Sequence, residues 1–140
     1  NLNLDIRIPP SYIGDSSHRL RMYKRISSAS DESELDALRQ EMVDRFGQYP
    51  EQVENLFRYA KLRQETLALR IQSIERNKDQ VFFRFVDSSK VDAEKLLKLV
   101  TRNKRASFSP QGLLAMELPD DQPDRLFNAI NGVLSEIRIQ

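Results

Sequence analysis

Cysteine is absent and histidine occurs once, as His18, in a chain of 140 residues. Those scarcities exclude disulfides, thiolate metal sites, cysteine nucleophiles and any multi-histidine metal centre. The four glycines, Gly14, Gly47, Gly112 and Gly132, stand far apart. A phosphate-cradling loop needs glycines close together so that the backbone can close on the anion, and none is encoded. No apolar run approaches the roughly 18 residues that a membrane helix requires, and the mean hydropathy is -0.58. The expectation is a soluble, cytoplasmic chain with no membrane partner. Charge of one sign is lacking as well, with 22 Lys+Arg against 21 Asp+Glu. Residues 1–70 hold 11 basic and 11 acidic residues, and residues 71–140 hold 11 and 10. A protein that grips duplex nucleic acid by charge shows a basic excess or a basic face, so only a local patch is left for that use.

The length suits a single domain, 1–140. The chain starts at Asn1 with neither an initiator methionine nor a signal-like segment. It reads as a monomeric piece excised from something longer.

Periodicity supplies the elements. Leu2, Leu4, Ile6 and Ile8 alternate with Asn3, Asp5 and Arg7, which predicts a strand with one buried face, ended by Pro9-Pro10. Asp15 can cap a helix with Leu20, Tyr23 and Ile26 at helical spacing. Leu35, Leu38, Met42 and Phe46 mark a second helix, with Asp31 and Glu34 at capping-box spacing and Gly47 placed to end it. Pro50 opens a third, whose apolar stripe runs through Val53, Leu56, Phe57, Ala60, Leu67 and Ile71. A hairpin follows, turning at Asn77-Lys78-Asp79 between strands around Ile74 and Val81–Phe85. Ser89 can cap a helix holding Val91, Leu96, Leu97, Leu99 and Val100. A second hairpin turns at Pro110-Gln111-Gly112, and Asp121 and Pro123 open a last helix. Short turns between paired strands imply antiparallel pairing. The fold class is therefore α+β, with helices on one side of a small, mostly antiparallel sheet and the order strand, three helices, hairpin, helix, hairpin, helix.

No catalytic constellation assembles from these residues, and the chain is read as non-enzymatic, with no cofactor or metal of its own. A serine nucleophile needs a base, but His18 sits in a basic stretch and no nucleophile-elbow motif exists. The carboxylate pairs Asp31 with Glu32 and Asp120 with Asp121 fall at helix starts, where they complement the macrodipole. Two groups could bind partners. Arg19, Arg21, Lys24 and Arg25 form a basic helical face, and with Phe82-Phe83-Arg84-Phe85 they make up the nucleic-acid alternative, as do Arg102, Lys104 and Arg105. The Phe82–Phe85 pattern also describes a central strand covered on both sides. The second group is acidic. Glu41 and Asp44 lie about 110° to 170° from the stripe of their helix, so both are expected to face outward. They occupy its last turns, where an anion is disfavoured by roughly 0.3–1 kcal/mol. A bland role remains open, with Glu41 bridging Arg45 at i,i+4.

The segments Ile8-Pro9-Pro10-Ser11-Tyr12-Ile13, Arg19-Leu20-Arg21-Met22-Tyr23-Lys24-Arg25 and Glu41-Met42-Val43-Asp44-Arg45-Phe46-Gly47-Gln48-Tyr49-Pro50 resemble, in that order, the C-terminal domain of bacterial transcription-repair coupling factors. The likeness covers the first half best, and residues 75–140 agree mainly in element order. Gly14 departs from a proline usual after the Tyr-Ile pair, and Gln48-Tyr49 from a more aliphatic stretch. The resemblance implies a parent that is an ATP-dependent DNA translocase, using ATP and Mg, which removes stalled RNA polymerase from double-stranded DNA and recruits UvrA. It further implies that this domain is regulatory, docking on the UvrB-like N-terminal module to cover the UvrA-binding surface and restrain the motor. In that family the acidic positions of the E-x-x-D-R-F-G block face arginines of the UvrB-like module. They fall here on Glu41 and Asp44, with Arg45 beside them.

Overall fold

A computed structural model of the chain describes residues 1–119 and 121–140. Asp120, half of one carboxylate pair above, lies outside the described residues. The elements are α1 (Ser16–Ser28), α2 (Glu32–Phe46), α3 (Glu51–Ala68), β1 (Ser73–Asn77), β2 (Gln80–Arg84), α4 (Ala93–Arg102), β3 (Ala106–Phe108), β4 (Leu113–Glu117) and α5 (Pro123–Ile137). The strands form one antiparallel sheet in the order β1-β2-β4-β3, which makes the fold α+β, as the patterning predicts. The chain divides into two compact units, one of residues 5–64 and one that joins residues 1–4 to 65–140.

The helical unit is built on side chains that the periodicity picks out. Ile8, Ile13, Met22, Ile26, Leu35, Leu38, Met42, Val53 and Phe57 form its buried cluster. Asp15 caps α1, accepting from the Ser17 hydroxyl at 2.6 Å, the Ser17 N–H at 2.8 Å and the His18 N–H at 3.3 Å, and these bonds, the one from the Ser17 hydroxyl first, hold its carboxyl below the usual range. The buried face of α1 is rotated from the expected one: Met22 and Ile26 point inward while Leu20 is 55 % exposed. The reason is spacing, since Met22 and Ile26 are one turn apart and Leu20 lies off their line. In α2, Asp31 accepts from the Glu34 N–H at 2.9 Å, and the Glu34 carboxylate reaches back to the Ser30 N–H at 2.8 Å. Gly47 ends α2 at φ 84, a conformation that suits a residue without Cβ.

In the sheet-bearing unit β2 is central. Val81 pairs with Met116 and Phe83 with Leu114, so these four side chains share one face, and all are buried. Phe82, on the other face, is half-buried. The third helix ends before its stripe does. Arg70 takes the left-handed conformation at φ 56, its N–H bonds the Leu67 carbonyl at 3.1 Å and the Ile71 N–H bonds the Thr66 carbonyl at 3.0 Å. This is a Schellman ending, in which the apolar residue after the turn packs back. Ile71 is thus buried outside the helix, and Leu67 is 69 % exposed.

Two further expectations are corrected. Residues 2–8 form no strand. Burial does alternate along them, but Asn3 sits at φ 53, and the segment is divided between the two units. Residues 1–3 are held by Arg76 instead, whose N–H donates to the Asn1 carbonyl at 3.0 Å and whose Nε donates to the Leu2 carbonyl at 2.8 Å. Ser89 does not cap α4. Its hydroxyl donates to the Arg70 carbonyl at 2.6 Å, and Asp92 caps the helix, accepting from the Glu94 and Lys95 N–H groups at 2.9 and 3.2 Å. The helix starts late because residues 90–92 run beside the chain end: the Ile139 N–H bonds the Lys90 carbonyl at 3.1 Å and the Asp92 N–H bonds the Ile137 carbonyl at 2.7 Å.

Candidate functional site

The site is the C-terminal half of α2. Its floor is set by Met42, fully buried, and by the Tyr12 hydroxyl, which donates to the Gly47 carbonyl at 2.6 Å. That bond satisfies a carbonyl just past the helix, where backbone acceptors would otherwise lack a donor. Phe46 meets Tyr12 edge-on at 6.1 Å, and the Arg45 guanidinium lies 4.9 Å from the Phe46 ring centre. His18 comes within 6.5 Å of the same ring, so the single histidine belongs to this aromatic cluster.

The two carboxylates are not equivalent. Glu41 is half-buried against α1, where Arg25 grips it with both ends of its guanidinium, Nη2 to Oε1 at 2.8 Å and Nη1 to Oε2. Arg45 adds a bond from Nη1 to Oε2 at 3.3 Å, the i,i+4 bridge expected from spacing. Held first by the hydrogen bonds from Arg25, the Glu41 carboxyl titrates at about 2, well under its ordinary 4.5. The pair borders a cleft of about 380 Å³ between α1 and α2, with Ala37 and Leu38 among its lining. Asp44 is exposed. One of its oxygens accepts from Gln40 Nε2 at 2.9 Å, and no other bond to it occurs among the described residues. The outward face expected for both carboxylates is therefore that of Asp44, while Glu41 turns toward the neighbouring helix.

The basic residues divide similarly. Arg19 donates from Nη1 to the Ile13 and Gly14 carbonyls at 2.8 and 3.0 Å, closing the loop before its helix, and Arg25 is committed to Glu41. Arg21 and Lys24 remain exposed. Of the other cluster, Arg102 pairs with Glu136 and Arg105 with Glu117. Four of the seven cations in these two basic clusters are thus spent on partners within their own unit. Sequence spacing missed the Arg25–Glu41 pair because it links two helices; the only available signal was opposite charge on two adjacent amphipathic helices. Among the described residues no group of three or more acidic or histidine side chains could hold a metal ion, and no helix is long and apolar enough to cross a membrane.

Comparison with solved structures places the chain among small α+β domains of one kind. It matches the crystal structure of the C-terminal domain of transcription-repair coupling factor with a TM-score of 0.78 and 22 % identity, covering 90 % of this chain and 82 % of that one. The family model for the TRCF domain matches residues 2–96, more than half of the chain, and the chain belongs to that family. Among its relatives, the transcription-repair-coupling factor of Bacillus subtilis is 37 % identical over 101 residues, 71 % of this chain and 9 % of the relative. Those of Rickettsia prowazekii and Escherichia coli are each 34 % identical, over 73 % and 72 % of this chain and 9 % of either relative. The chain spans about a tenth of the length of these relatives.

Proposed function

We propose that this chain serves a transcription-repair coupling factor as an autoinhibitory interaction domain, docking on the UvrB-like module of the same polypeptide, masking UvrA binding and restraining the motor. The parent acts in DNA repair as an ATP-dependent translocase, with ATP, Mg and double-stranded DNA bound elsewhere in it and stalled RNA polymerase as its target. The observation that carries this reading is the exposed Asp44 carboxylate, with an oxygen to spare, in the last turn of α2, where its own helix disfavours an anion. A cation on a partner surface would relieve that cost. Arg45 and the Arg25-bound Glu41 define the rim around it.

Docking of this kind is a population shift: the covered surface appears when a competing ligand favours the open state. Exposed ion pairs of about 1 kcal/mol each suit a contact that must hold and release, since each changes the balance roughly fivefold. The clean test is Asp44→Arg in the full-length factor. It is expected to raise basal ATPase activity and UvrA affinity and to weaken capture of this fragment by the UvrB-like module, while the circular dichroism of the fragment stays the same. Glu41→Arg is less clean because it also removes the ligand of Arg25. Unchanged ATPase activity together with unchanged UvrA affinity in Asp44→Arg refutes the assignment.

A further inference from the structure

The sheet-bearing unit has an apolar groove of about 490 Å³, lined by Phe85 and Val86 beyond β2, by Leu96, Leu97 and Val100 of α4, and by Phe108 of β3. Three of these large apolar side chains stand in solvent: Val86 is 45 % exposed, Leu97 66 % and Phe108 42 %. The Phe85 and Phe108 rings lie 6.3 Å apart. One ionisable group lines the groove, Asp87, which is exposed and makes no ion pair among the described residues.

The groove adjoins an open sheet edge. β3 is the last strand of the sheet. The Ser109 N–H bonds the Leu113 carbonyl at 3.0 Å and the Glu117 N–H bonds the Arg105 carbonyl at 3.1 Å. That alternation places Phe108, opposite Leu114, in a non-hydrogen-bonded pair, so its own N–H and C=O turn away from β4 toward the open side.

We propose that this edge and groove bind an extended segment of a partner protein that pairs with β3, sets an aliphatic side chain beside Phe108 and brings a lysine or arginine to Asp87. A residue paired with Phe108 across the new ladder shares its face, and so lies over the groove. Side chains two positions along, about 7 Å away, return to that face, which lets a long cationic side chain extend to the carboxylate. A helical occupant would leave the edge groups of Phe108 unpaired. This site is independent of the docking role of α2.

The test is a titration of the 15N-labelled 140-residue chain with a synthetic peptide of alternating valine and lysine. The amides of Val86, Leu97 and Phe108 are expected to shift, and the Phe108 amide to gain protection from exchange. Leu97→Asp, at a surface position that leaves folding intact, is expected to abolish the shifts, and Asp87→Lys to weaken binding about tenfold. A valine–glutamate peptide is expected not to bind. The inference is overturned if the two peptides bind alike, if Leu97→Asp binds as well as the unaltered chain, or if millimolar peptide shifts nothing. It is equally overturned if the same amides shift with protein concentration alone, which would make a second copy the occupant.

Discussion

Glu41 shows how one carboxylate can be taken out of circulation by a neighbour. Its carboxyl titrates at about 2 when folded and near 4.5 when free, so the ionised form is favoured in the folded chain. The resulting stabilisation is complete above about pH 4.5 and is lost as pH falls toward 2. Its side chain is 35 % exposed, and solvent screening limits the contribution to about 1 kcal/mol or less. Glu41→Gln is therefore expected to lower stability at pH 7 by about 0.5–1 kcal/mol and to flatten the acid limb between pH 4.5 and 2, as read by urea unfolding across pH. The outward placement of Asp44 was legible from a helical wheel. The inward turn of Glu41 was not, because a wheel describes one helix and Arg25 stands on another.

At the scale of elements, the turn between β3 and β4 depends on a missing side chain. Gly112 has φ 87, and a Cβ there would meet the Phe85 carbonyl oxygen at 2.7 Å, while the Gly112 carbonyl accepts from the Phe85 N–H at 2.8 Å. Gly112→Ala combines left-handed strain with a backbone clash and is expected to cost about 1–3 kcal/mol. Gly132, inside α5, has open space where its Cβ would go. The same substitution there is expected to stabilise by about 0.5–1 kcal/mol, so thermal unfolding of the two variants should move in opposite directions. The hairpins and all five helices were legible because turn chemistry and a 3.6-residue period are local signals. What escaped was set by distant chain. Ser89 lost its capping role to Asp92 because residues 90–92 pair with the chain end. The alternation at residues 2–8 reports burial correctly but says nothing of hydrogen-bond partners, and Asn3 turns the backbone out of any ladder.

For the molecule as a whole, the telling feature is that residues 1–4 belong with residues 65–140. Leu2 is 1 % exposed, and Arg76 fastens the backbone around it. Leu2→Ala is expected to destabilise the sheet-bearing unit by about 2–4 kcal/mol, far more than a change at a fraying terminus. Hydrogen exchange should locate the loss in β1 and β2. An effect confined to residues 1–8 would contradict this account. Synthesis on the ribosome gives this arrangement a temporal meaning. The residues that emerge first among these 140 must wait, greasy side chain uncovered, until Arg76 and the strands around it have left the exit tunnel. The helices encoded in between can settle during that delay, while the earliest-made of these 140 residues are among the last of them to find their place.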